Sequence, residues 1–112
     1  MKYIIIPMLL ISLQVMANGK NIYEKRCAKC HGITGDGDGP SAEFLAVPPA
    51  KFSNPKIFKD REGLNMTPDE RMTKVIHEGG QSVGKSKLMQ PFPEFSDSEI
   101  KDIISYLKTL AK

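Results

Sequence analysis

Cys27-Ala28-Lys29-Cys30-His31 places two thiols and an imidazole within five consecutive residues. No other stretch narrows so far what this chain can fold around. On a helix, residues three apart share a face, so both thiols project the same way. The spacing is C-x-x-C-H, the attachment pattern of a c-type haem. Each thiol can add to one of the two vinyl groups on the porphyrin edge, and the imidazole then meets the iron from the proximal side. Two other readings compete. Cys27 and Cys30 can form a redox-active disulfide, but that needs a βαβ context, and no alternating or β-branched run surrounds them. With His31 and His77 they also make up the four soft donors of a structural zinc site. Adjacent Cys30 and His31 cannot readily chelate one tetrahedral ion, however, and ordinary zinc spacings separate the donor pairs.

The first seventeen residues read as a secretory signal. Lys2 is a minimal positive start, Tyr3 to Leu13 is apolar, and Val15-Met16-Ala17 puts small residues where a signal peptidase cuts. An uncleaved anchor is the competing reading, but a membrane span needs about 20 apolar residues, and Pro7 and Gln14 interrupt this run. No cysteine follows Ala17 directly, which leaves a lipid anchor without an attachment point. Removing 17 of the 112 residues leaves 95, enough for one domain, 18–112. Lys2 goes with the signal, so 15 basic side chains face 13 acidic ones, a net charge of +2. Two haem propionates would roughly cancel it. Nothing in that balance favours nucleic acid, which needs a basic patch or stripe. A chain this short buries a thin core, and it has no tryptophan. A porphyrin between helices would supply the missing apolar surface.

Three helices are expected. The first runs from about Gly19 through Cys30 and carries Tyr23 and the C-x-x-C-H motif. The second opens at Thr67-Pro68-Asp69-Glu70, where Thr67 and Glu70 form a capping box around a proline at the first helical position. Met72, Val75 and Ile76 form its apolar stripe, and Gly79 is its left-handed stop. His77, just before that stop, reads as a solvated residue favoured by the helix dipole. The third opens on the capping box Ser96-Asp97-Ser98-Glu99, with Phe95 and Ile100 placed as a hydrophobic staple. Ile100, Ile103, Ile104, Leu107 and Leu110 continue it at helical spacing to the C-terminus.

Gly32 to Gly63 is loop-rich. Its aspartates, interleaved with glycines at Thr34 to Pro40, are explained by turn chemistry; a calcium loop of the EF-hand kind would need a glutamate at its twelfth position. Ser41 to Leu45 suggests one helical turn, and Pro48 to Phe52 an extended segment. Three methionines lie beyond Ala17. Met66 precedes a helix cap and Met72 sits in an apolar stripe, so both read as packing residues. Met89 lies in a loop that Pro91 and Pro93 stiffen.

Taken in order, Gly19, Tyr23, Cys27-Ala28-Lys29-Cys30-His31-Gly32, Gly39-Pro40, Leu88-Met89-Gln90-Pro91-Phe92 and Ile104-Ser105-Tyr106-Leu107 resemble a class I cytochrome c of the small bacterial kind. The resemblance covers essentially the whole of 18–112, and departs from the common pattern in placing Gln90 between Met89 and the next proline. It implies an all-α cytochrome c fold, with three main helices, short turns and loops wrapped around one covalent haem c. It implies that Met89 is the distal iron ligand and that the Pro40 carbonyl accepts the Nδ1 proton of His31, which would orient the ring. Gly19 and Tyr23 would meet Tyr106 where the first and last helices cross. The resemblance also implies export, since c-type attachment in bacteria is made outside the cytoplasm. The function expected is that of a soluble periplasmic one-electron carrier between respiratory redox partners, not an enzyme, with no membrane insertion after cleavage. Lys85 and Lys87, in Met89's loop, would steer it to acidic partner surfaces. The alternatives are a haem subunit of a larger periplasmic complex, or a peroxidase or gas sensor with an open sixth site.

Overall fold

The computed structural model describes residues 7–63, 65–85 and 88–112, with residues 7–13 described in backbone only. Among the described residues four α-helices form: α1 (Pro7–Arg26), α2 (Ala28–His31), α3 (Pro68–Glu78) and α4 (Asp97–Thr109). Three short 3-10 turns, Ala42–Phe44, Pro55–Phe58 and Gly80–Val83, punctuate the loops. No strand forms among the described residues.

Local chemistry sets the two C-terminal helices where the capping boxes put them. The Thr67 hydroxyl accepts from the Glu70 amide while the Glu70 carboxylate accepts from the Thr67 amide, and Ser96 and Glu99 repeat the exchange at α4. Each box satisfies two amides that a helix start would otherwise leave unpaired. Gly79 ends α3 at φ 91°. Its ψ of 165° places it outside the compact left-handed well, so the chain leaves extended and enters the turn Gly80–Val83. The predicted stripe of α4 is the centre of the core: Ile100, Ile103, Ile104 and Leu107 are buried, and Leu110, just past the helix end, packs against them. Tyr23, Ala28, Met72, Ile76, Phe92 and Phe95 complete that cluster.

The first helix differs from expectation in two ways. It extends back to Pro7, through Ala17 without a break. It also bends at Cys27, where φ is −118°, well off the helical value of about −63°. The Cys27 amide still bonds the Tyr23 carbonyl at 2.8 Å, so the path is kinked rather than severed.

The crossing of α1 over α4 occurs where the resemblance puts it. The Tyr23 ring is fully buried, 5.4 Å from that of Tyr106. Its hydroxyl donates to the Gly32 carbonyl, tying the crossing to the end of α2. Gly19 lies against α4 so closely that a Cβ there would sit 2.8 Å from the Asp102 carbonyl carbon and 2.9 Å from the Tyr106 Cβ. Alanine ordinarily improves a helix interior over glycine by about 0.8–1.0 kcal/mol. At Gly19 the sign should invert. Gly19→Ala is expected to destabilise the protein by about 1–3 kcal/mol, the usual cost of overpacking. Denaturant midpoints would check it, with the exposed neighbour Asn18→Ala as the variant that should not fall.

Candidate functional site

The haem-attachment motif occupies one tight turn. Amides of Cys30 and His31 both bond the Cys27 carbonyl, at 3.2 and 2.9 Å. Cys27 and Cys30 are half-buried free thiols on that turn. Burial pushes the Cys27 thiol up to about 11, against the opposing pull of the Arg26 charge. It is therefore a neutral thiol near pH 7.

Gly39 is what lets the following loop close on this turn. A Cβ at Gly39 would lie 2.5 Å from the Ala28 carbonyl oxygen. Bare of one, the loop bonds back through Gly39 to the Cys30 carbonyl (3.1 Å) and through Ser41 to the Lys29 carbonyl (2.9 Å). The exposed Pro40 between them is held against α2's backbone. This overturns one expectation. The acceptor facing His31 Nδ1 is the Ala50 carbonyl, at 3.0 Å, and not that of Pro40. The extended segment after Pro48-Pro49 brings that carbonyl to the ring. Phe52, two residues on, packs its ring 4.5 Å from the imidazole.

Burial lowers the His31 pKa, partly offset by the bond to Ala50. With Nδ1–H donated to a carbonyl, the lone pair is left on Nε2. That is the tautomer a metal-ligating histidine needs.

Met89 is half-buried and packs against the core cluster. Its carbonyl accepts from the Gly80 amide at 3.1 Å, and the Phe92 amide bonds the Ile76 carbonyl at 2.8 Å. The chain is thus pinned to the end of α3 at Met89 itself and again three residues later. Lys85 is exposed in this loop, its amide bonded to the Gly80 carbonyl at 2.9 Å; Lys87 lies outside the described residues. His77 lines an open groove of about 660 Å³ between α3 and α4, with Lys74, Lys101 and Lys108 among its neighbours and no residue of the C-x-x-C-H turn.

These residues fit a haem better than a zinc ion. Among the described residues, no three histidine, cysteine or acidic side chains converge as a metal site would require. The paired free thiols and the oriented imidazole match the attachment chemistry. A further observation agrees. Arg71 gives one nitrogen to the Ile57 carbonyl at 3.1 Å, but its Nη1 is buried without a partner. An ionised propionate is the kind of acceptor that such a donor lacks.

A model of the cytochrome c family matches residues 16–111. The chain belongs to the cytochrome c family. It is a small c-type cytochrome, an all-α electron-transfer protein with a covalently attached haem c, a cofactor that its two disulfide-free cysteines fit. Members of the family are typically electron carriers. Solved structures that resemble this cytochrome include the following two. One is described as the Kuenenia stuttgartiensis reducing HAO-like protein complex Kustc0457/Kustc0458, with 28% identity and a TM-score of 0.66 over 84% of this chain. This cytochrome spans only 41% of that longer chain. The other, the KustC0563 c-type cytochrome, is 26% identical with a TM-score of 0.60, over 84% of this chain and 98% of its own. No curated protein matches the sequence. No described helix is long and apolar enough to cross a membrane.

Sequence reasoning missed Ala50, Phe52 and Arg71. For Ala50 the one signal was the extended reading of Pro48 to Phe52, because extended backbone has no helical partner for its carbonyls. Nothing local marks Arg71, whose isolation is a property of the packed fold.

Proposed function

We propose that this cytochrome is a periplasmic one-electron carrier with His31 and Met89 as axial ligands, exported by a signal at 1–17 that is cleaved after Ala17. Bound haem supplies a ferric/ferrous couple, and thioether ligation favours the ferrous state relative to two nitrogen ligands. The chain does the rest by holding still. Ala50 fixes the imidazole, Gly80 and Ile76 fix the loop that carries Met89, and neither contact has to change when the charge changes. The observation that carries the reading is this pairing of an oriented His31 with a pinned, half-buried methionine. Intact mass and spectra of the purified protein test it. The expected product weighs the 18–112 polypeptide plus one haem, takes up one electron, and shows sulfur-to-iron absorption when ferric. A bare polypeptide mass would defeat the proposal.

Lys85, with Lys87, is proposed to steer this carrier to acidic partner surfaces. Neutralising both lysines with glutamine should slow electron transfer several-fold at low ionic strength. At high salt, where the Debye length falls to about 3 Å at 1 M, the difference should vanish. Equal stopped-flow rates in low salt would end the steering idea.

A second reading has one observation in its favour: the chain matches part of a longer polypeptide from a protein complex. Under it this cytochrome is a haem subunit of such an assembly. Native mass of the protein drawn from its own periplasm separates a monomer from a complex.

A further inference from the structure

Arg26, the residue immediately before Cys27, reaches across to the segment that follows Met89. Its Nη2 lies 2.9 Å from Glu94 Oε1. Its guanidinium carbon also sits over two aromatic rings, 5.2 Å from the centroid of Phe92 and 5.6 Å from that of Phe95. Those rings stack on each other at 5.3 Å and 16°. Both are buried in the core, at 5% and 8% exposure.

The flanking contacts turn this cluster into a tie rather than a surface ornament. Phe92 is fixed by the hydrogen bond its N–H donates to the Ile76 carbonyl, and Phe95 precedes the Ser96 cap of α4. Arg26 is fixed at the end of α1 against the thiol turn. One side chain therefore joins the segment that holds the haem covalently to the one that carries the proposed sixth ligand.

We infer that Arg26 is a positioning residue for Met89: its clamp on Phe92, Glu94 and Phe95 holds the methionine loop closed over the iron. This rests on Met89 being the sixth ligand. An exposed ion pair alone contributes little. The planar guanidinium on two ring faces adds a contact that lysine reproduces poorly. The clamp thus has a charge part that salt screens and a stacking part that it does not.

Opening of the loop can be read with imidazole, which binds ferric iron only where Met89 has left. Its apparent affinity scales with the fraction of open protein. In the ferric holoprotein, Arg26→Ala should raise that affinity about tenfold, in proportion to the open fraction. Glu94→Gln should raise it less, and its effect should disappear at high salt while most of the Arg26→Ala effect persists. Arg26→Lys should fall between parent and Arg26→Ala. Ile103→Val, which thins the core on α4, should lower overall stability yet leave imidazole affinity within about twofold, because it does not bias the open fraction. Imidazole affinity unchanged in Arg26→Ala, or raised equally by Ile103→Val, would overturn the inference and leave the ligand assignment standing. A parent protein without sulfur-to-iron absorption would overturn the assignment, and the clamp with it. Should Arg26→Ala fail to accumulate, Arg26→Lys and Glu94→Gln decide by the same measurement.

Discussion

Met89→Ala should abolish the sulfur-to-iron absorption of the ferric protein and lower its reduction potential. Axial ligands move haem potentials over roughly 0.8 V, so the drop should be among the largest a single substitution can cause here. The thioether is a soft donor that favours ferrous iron. Water or an incoming nitrogen ligand would favour the ferric state. The fold should survive, because Met89 is only half-buried and its loop is held by backbone bonds from Gly80 and Phe92. Potentiometric titration and ferric spectra read both effects. An unchanged spectrum would mean that the sixth site is open, and would move the protein toward the sensor or peroxidase reading.

Cys27→Ser combined with Cys30→Ser should be more drastic, costing both the covalent cofactor and the cooperative fold. Ten hydrophobic residues make up the described buried core, and only Tyr23, Ile100 and Ile103 among the largest are almost wholly sealed from water. Small domains bury a modest fraction of their surface and are stable by about 5–15 kcal/mol at best. A ligand bound only by the native state adds about 2.7 kcal/mol when present at a hundred times its dissociation constant. A covalent tether keeps that ligand permanently at hand. Without the thioethers the expected product has no haem on a denaturing gel and melts broadly, at a far lower temperature, by circular dichroism. A sharp transition at the parental midpoint would show that the polypeptide folds on its own side chains.

How far the residues foretold the molecule depended on how far apart the interacting groups lie along the chain. Both capping boxes, the apolar stripe of α4 and the packing roles of Met72 and Ile76 involve neighbours within about two turns, where helical geometry alone sets who meets whom. Family resemblance extended this to the meeting of Gly19, Tyr23 and Tyr106, which no local rule gives. The histidine's acceptor defeated both kinds of reasoning. Pro40 and Ala50 each follow a turn-rich stretch, and the choice between them is made by where the folded loop brings a carbonyl 19 residues beyond the histidine. The bend at Cys27 was likewise hidden, since nothing in its neighbours breaks a helix.

By itself the order of residues determined the chemistry this protein can perform: two thiols and an imidazole on one turn specify a covalent haem, because bond-forming groups need only local spacing. Tertiary structure alone decided how that chemistry is held. Ala50 behind His31, Arg26 on Phe92 and Glu94, and Arg71 on Ile57 join residues 14 to 68 positions apart. Such contacts exist only after loop entropy has been overcome by packing, and no short-range pattern records them.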